Sequence, residues 1–292
     1  MTQTSAFVTQ PGGNKLAYGL SGPQNGPIIL LSNSLMCNYS SWDHFAAELV
    51  SKGFRVLKYD QTGHGRSSPP KDPSMTTFLT LSNDVKFLLE QLKIDKLHAW
   101  VGVSMGAATG IYFVTQNPGV VQKLVIVDTI SSSPSNAGIP DLFGPRAEIA
   151  RTESEAIIKL TAGTLERWFT DEWREANPAE TERMRKLMHT TTKDGFIACC
   201  NALSDASFDL RPLFKAVGNS VESVLLVVGE LDANLPTTME NMRQEIQAGF
   251  GDKPQVRLVI IKGAGHVPFI DGRENFDREI LPFFSDTSAS KI

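Results

Sequence analysis

The chain has 292 residues, 41 % hydrophobic and 21 % charged, with 28 Lys and Arg against 32 Asp and Glu for a formal net charge of −4. That length and composition exclude a disordered or fibrous chain and fit one large domain, or a domain carrying a substantial insertion. No run of basic residues makes a stripe for phosphates, so nucleic acid and anionic membrane are poor partners.

In chain order, Phe7 to Gln10 and Lys15 to Leu20 predict an early antiparallel pair. Apolar, β-rich runs then recur at Ile28 to Leu31, Phe54 to Tyr59, Leu97 to Val101, Leu124 to Val127, Val224 to Val228 and Val256 to Ile261, and predict buried strands. Helical patterns alternate with them at Thr76 to Leu92, Ala107 to Thr115, Thr237 to Gln247 and Asn275 to Phe284. This alternation predicts an α/β fold, a mostly parallel sheet of eight strands covered by helices on both faces. The stretch 131–215 is too long for a simple crossover. It opens on turn formers around Ser133-Pro134 and becomes amphipathic through Ile157, Leu160, Leu165 and Trp168. The expected organisation is a core of 1–130 and 216–292, with 131–215 as a helical cap over the carboxyl edge of the sheet.

Met1 to Gln10 contains no basic segment followed by an apolar one, and no stretch of about 20 apolar residues occurs. Three cysteines, Cys199 and Cys200 adjacent, make neither a disulfide framework nor a zinc spacing. A soluble chain of the reducing cytoplasm is therefore expected, without a metal or cofactor. The sequon Asn38-Tyr39-Ser40 would go unused there. The terminal Ser290-Lys291-Ile292 is one conservative change from the Ser-Lys-Leu peroxisomal address, which makes the peroxisome the alternative location.

The strand at Leu97 to Val101 runs through Gly102-Val103-Ser104-Met105-Gly106 into a helix. At a strand, turn, helix junction, G-x-S-x-G holds its serine hydroxyl exposed in a strained turn, and the glycines let neighbouring backbone pass close. The bland alternative is a helix capped by a serine. A serine hydroxyl needs a base near neutral pH, and the base needs a group that fixes its tautomer. Among five histidines, His44, His98 and His189 read as surface or packed residues, and His64, in Gly63-His64-Gly65, as one that orders a turn. His266 follows the last strand in Gly263-Ala264-Gly265-His266, where a Gly-rich loop carries an imidazole over the sheet edge, and is the candidate base.

Asp128 and Asp232 both end strands after Ser104. Asp232 gives the chain order Ser, Asp, His and is the preferred acid; Asp128 is the alternative, or caps the opening of the insertion. Glu230 is expected to point elsewhere on its loop. The oxyanion of the transition state needs two converging N–H donors, assigned to Met105 and to Leu35 in Ser32-Asn33-Ser34-Leu35-Met36-Cys37.

These motifs resemble the α/β-hydrolase superfamily from about Lys15 to Phe284, through Asp60 to Ser67, Gly102 to Gly106, Gly229 to Asp232 and Gly263 to His266. Within it, Leu31-Ser32-Asn33-Ser34-Leu35, Leu165-Glu166-Arg167-Trp168-Phe169-Thr170 and the run Asp194 to Leu203 resemble the 3-oxoadipate enol-lactonases. Two places depart: that family usually continues Asn-Ser-Leu with Gly-Thr, where this chain has Met36-Cys37, and Ile130 to Pro134 does not match its usual cap opening. The resemblance implies a cofactor-independent hydrolase of a small carboxylic ester, an enol-lactone first. It also implies that Arg167 reads a substrate carboxylate and Trp168 walls the pocket, against the alternative of a surface arginine paired with a nearby Glu and a tryptophan that anchors the cap. Competing functions are a general carboxylesterase, a perhydrolase or a carbon-carbon hydrolase on the same residues, or a ligand-binding member without turnover.

Overall fold

The computed structural model describes residues 4–285. One eight-stranded sheet is built from β1 (Thr4–Thr9), β2 (Lys15–Ser21), β3 (Ile28–Ser32), β4 (Arg55–Tyr59), β5 (Leu97–Val103), β6 (Val121–Val127), β7 (Ser223–Gly229) and β8 (Val256–Ile261). Their order is β1-β2-β4-β3-β5-β6-β7-β8. β2 runs antiparallel to β1 and β4, and the pairings from β4 to β8 are parallel. Helices cover the sheet because its central strands are apolar on both faces: β5 and β6 bury every residue except His98 and Gln122. Those two meet, His98 Nδ1 and Gln122 Oε1 lying 3.1 Å apart.

The helices before the insertion are α1 (Asp43–Ser51), α2 (Phe78–Gln91) and α3 (Met105–Gln116). α2 starts where Thr77 and Thr80 form a reciprocal capping box, which satisfies backbone donors that the helix itself cannot pair. Between β6 and β7 lie α4 (Pro134–Ala137), α5 (Gly144–Thr152), α6 (Ala156–Trp168), α7 (Asp171–Ala176), α8 (Pro178–Met188), α9 (Lys193–Ser204) and α10 (Phe214–Val217). After β7 come α11 (Leu235–Phe250), then, after β8, α12 (Pro268–Asp271) and α13 (Arg273–Ser285).

The inserted stretch leaves and rejoins the sheet through an antiparallel bridge between Ser132 and Asp209. Helices α4 to α9 pack on one another, whereas α10 packs on α3 and α11. The stretch docks on the loop after β4, where the Thr192 N–H donates to the Gly63 carbonyl at 2.8 Å. The backbones cross there so closely that a Cβ on Gly195 would lie 2.4 Å from Gly63 Cα. Among the described residues no helix is long and apolar enough to cross a membrane. The terminal Ser290-Lys291-Ile292 lies outside the described residues.

Candidate active site

Ser104 sits alone between β5 and α3 with φ 54° and ψ −116°. Its N–H donates to the Val127 carbonyl at 2.7 Å, and its side chain makes no capping bond to α3. The hydroxyl is therefore not consumed by the helix. The turn is possible because Gly106 has no side chain: a Cβ there would lie 2.5 Å from the Ser32 carbonyl oxygen.

His266 and Asp232 come from the loops that follow β8 and β7. His266 Nδ1 lies 2.6 Å from Asp232 Oδ2, so the ring donates from Nδ1 and keeps Nε2 for other work. Ser104, Asp232 and His266 all line one cavity of about 200 Å³. Burial pushes the Asp232 carboxyl up, but the charge and hydrogen bond of His266, a hydrogen bond from Asp128 and the Arg167 charge outweigh it and hold the group below its ordinary value. Asp232 thus stays ionised opposite the imidazole.

Leu35 and Met105 line the same cavity, and among the described residues neither backbone N–H donates to a protein acceptor. Two unspent donors beside a serine hydroxyl suit a developing oxyanion. The loop that carries Leu35 is tied down on its far side. Asn33 Nδ2 donates to the Tyr59 carbonyl at 2.8 Å, and the Met36 N–H donates to His64 Nε2 at 3.1 Å. His64 Nδ1 in turn lies 3.0 Å from the Thr62 carbonyl. Burial pulls the His64 pKa down to about 4, so the ring is neutral and its single proton goes to Thr62. Burial pushes the neighbouring Cys37 thiol up to about 12, which leaves it protonated and unreactive.

Strained backbone gathers here. Met36, Ser104, Asp128 and Ala233 have φ of 70°, 54°, 41° and 47°, and all four line the cavity; of the other described non-glycine residues only Lys93 and Glu155 have positive φ. Each such residue costs on the order of 1 to 3 kcal/mol, a cost that rigid surroundings sustain where geometry serves chemistry.

From the inserted helices, Trp168 is 2 % exposed and its ring centroid lies 5.1 Å from that of His266. Arg167 lines the cavity as well, joined by Arg146 at the start of α5. Neither guanidinium makes a hydrogen bond or an ion pair with any described residue. Arg167 is exposed, yet protein crowds its guanidinium enough that desolvation first, then the Arg146 charge, pulls its pKa down to about 10 against the opposing charge of Asp232. Of the alternative reading, the exposed position of Arg167 is seen, but among the described residues no Glu pairs with it. Arg146 was missed by the sequence reading; its signal was its place beside Ala147 and Ala150, the buried face of α5.

The remaining expectations fall elsewhere. His44 and His189 are exposed, and His98 bonds within the sheet region. Glu230 accepts from the Gly263 N–H at 2.9 Å, away from the cavity lining. Asp128 does not cap the opening of the insertion, because Ser133 caps α4 and Asp128 Oδ1 accepts from the Gly229 N–H at 2.9 Å. Among the described residues no group of three or more His, Cys, Asp or Glu is arranged to hold a metal ion.

Comparison with known proteins agrees with this architecture. Residues 26–273 match the family described as the alpha/beta hydrolase fold. The chain is 31 % identical over 245 residues to 3-oxoadipate enol-lactonase 1 of Acinetobacter baylyi, spanning 83 % of this chain and 86 % of that protein. Among solved structures, the enol-lactonase from Burkholderia xenovorans LB400 superposes with a TM-score of 0.83 at 31 % identity, covering 96 % of this chain and 100 % of that one. A hydrolase from Pseudomonas aeruginosa PA01 superposes with a TM-score of 0.82 at 27 % identity, covering 97 % and 98 %. Sheet order, the strained turn at Ser104 and family match meet on one conclusion: the chain belongs to the alpha/beta hydrolase family and is a relative of the 3-oxoadipate enol-lactonases.

Proposed function

We propose that this chain is a serine hydrolase of a small carboxylic ester, an enol-lactone that carries a free carboxylate. The observation that carries the reading is the small cavity shared by Ser104, the paired His266 and Asp232, and two arginines that bond no acid among the described residues. Ser104 Oγ attacks the ester carbonyl while His266 Nε2 takes its proton, and the Leu35 and Met105 N–H groups receive the oxyanion. Collapse breaks the carbonyl to alkoxy bond. His266 returns the proton to the leaving oxygen, which in an enol-lactone stays tethered to the acyl group and can tautomerise to a ketone. Water, deprotonated by His266, then attacks the acyl-enzyme and releases the acid and Ser104.

Asp232 holds the imidazole in the Nδ1–H tautomer and stabilises the imidazolium. The helices of 131–215 serve as the cap: Trp168 covers His266, and Arg146 and Arg167 offer charge to the substrate. A cavity of about 200 Å³ favours a compact substrate over a long acyl chain. The test is one rate assay comparing lactones, straight-chain esters and dienone ketones, with Ser104→Ala as background. The reading expects carboxylate-bearing lactones to lead; a preference for neutral esters or ketones overturns it, and no turnover of any of them makes the chain a binder.

A further inference from the structure

Behind the imidazole of His266 the chain gathers three aspartates. Asp128 follows β6, Asp232 follows β7 and Asp271 ends α12. Asp271 Oδ2 accepts the Gly265 N–H at 2.7 Å, next to His266. Asp128 is fully buried: Oδ1 accepts the Gly229 N–H, while Oδ2 has no donor from any described residue. One N–H is poor compensation for a buried carboxylate, which as an anion can accept several hydrogen bonds.

The side chain within hydrogen-bonding reach of Asp128 is Asp232, whose Oδ2 is already engaged by His266. Two carboxyl groups this close share a proton rather than ionise together. The groups that face the pair decide which one keeps it. His266 and Arg167, both on the side of Asp232, favour charge there, whereas Asp128 gains no such cation, and Asp271 repels negative charge on either member of the pair. From this geometry we infer that Asp128 is held as the neutral acid and donates its O–H to Asp232, so that Asp128 is a positioning residue for the carboxylate that orients His266.

The electrostatics agree in direction. Burial first, and the Asp232 charge second, push Asp128 well above the ordinary carboxylate range. Asp232 then receives two donors, Asp128 O–H and His266 Nδ1–H, which fix both its rotamer and the ring beyond it. This assignment rests on the proposed hydrolase reading for its kinetic consequence, though not for the protonation state itself.

The protonation is read by isotope-edited infrared spectroscopy at about pH 8, where the buried Asp271, pushed up only to about 7, is mostly ionised. A protonated-carboxyl carbonyl band is expected in the wild type and in Ser104→Ala, and is expected to vanish in Asp128→Asn. Persistence of the band in Asp128→Asn, or its absence from the wild type, overturns the assignment whatever the enzyme hydrolyses. Kinetics supply the second measurement. Asp128→Asn keeps a neutral donor and is expected to retain kcat within about threefold, losing any alkaline fall that ionisation of Asp128 imposes. Asp128→Leu removes the donor and is expected to lower kcat about 10-fold or more with KM little changed. An Asp128→Asn protein as inactive as Asp232→Asn overturns the inference in favour of Asp128 as the ionised acid.

Discussion

The backbone N–H of Met36 donates to Nε2 of His64 at 3.1 Å, so a histidine outside the proposed triad holds the loop that carries the Leu35 donor. Met36 has φ 70°, a strained conformation that needs such an anchor. His64→Leu is expected to lower kcat about 10- to 100-fold, short of the loss of a whole oxyanion donor, with KM changed little. Steady-state kinetics on the best ester check this; unchanged kcat means that the loop holds itself.

The same residue gives a pH dependence of stability. His64 stays neutral in the fold down to about pH 4, whereas the unfolded chain protonates it near its ordinary value of about 6.5. Its contribution is complete above about pH 6.5 and is lost as pH falls toward 4, with a slope of up to about 1.4 kcal/mol per pH unit. Asp60 and Asp271, pushed up to about 6 and about 7 by burial, act with the opposite sign, but they are common to wild type and variant. The stability difference between wild type and His64→Leu, from urea titrations, is therefore expected to shrink from pH 7 to pH 4. A difference that stays flat would show that the ring is protonated in the fold as easily as outside it.

Ser104→Ala is expected to abolish ester turnover, a loss on the order of 10³-fold or more, with little change in melting temperature. Ser104→Gly is expected to be equally inactive but more stable, by about 1 kcal/mol, because φ 54° with ψ −116° is a conformation glycine adopts without penalty. Covalent labelling by an organophosphonate at any other residue contradicts the assignment.

Asp232→Asn is expected to approach a ~10⁴-fold loss in kcat, since an amide at that position stabilises the wrong imidazole tautomer. The 2.6 Å contact of Asp232 Oδ2 with His266 Nδ1 is the interaction removed. A variant within tenfold of wild type would move the acid role elsewhere, Asp128 being the neighbour to test.

Much of this was legible in the sequence because buried parallel strands are continuous apolar runs, and the runs at β3, β5 and β7 fall where the strands do. The misses have local causes. β6 begins at Val121, not Leu124, because Gln122 and Lys123 interrupt the apolar run; each finds a partner, Gln122 in His98 and Lys123 in the Phe283 carbonyl at 2.7 Å. β1 occupies Thr4–Thr9, ahead of the expected Phe7 to Gln10, on an edge where alternation is weak. In the site, Ser104, Asp232 and His266 followed from motif and chain order, and the structure lines one cavity with them. His64 to Met36 and Asp128 to Asp232 are contacts between loops far apart in sequence, and neither periodicity nor a motif announces them. Arg146 was hidden in part: its place beside Ala147 and Ala150 marks the buried face of α5, but nothing local shows that the helix brings it beside Arg167.

The arginines make the sharpest test of substrate class. Two like charges share a cavity of about 200 Å³; the Asp232 carboxylate draws on Arg167, but among the described residues no acid is bonded to either arginine, so both have hydrogen bonds to give to a substrate anion. A planar carboxylate can be gripped by a guanidinium through two parallel hydrogen bonds, which the point charge of lysine does not reproduce. Arg167→Ala is therefore expected to lower kcat/KM on a lactone bearing a free carboxylate by roughly 2 to 3 kcal/mol, the scale of a charged hydrogen bond, and to leave the methyl ester of the same lactone almost unaffected. Arg167→Lys should recover only part of the loss. Arg146→Ala should act in the same direction, and the double variant should lose less than the two single losses combined, because both arginines hold one anion. Equal losses on acid and methyl ester, or none on either, would make the arginines supports of the cap and sink the carboxylate assignment.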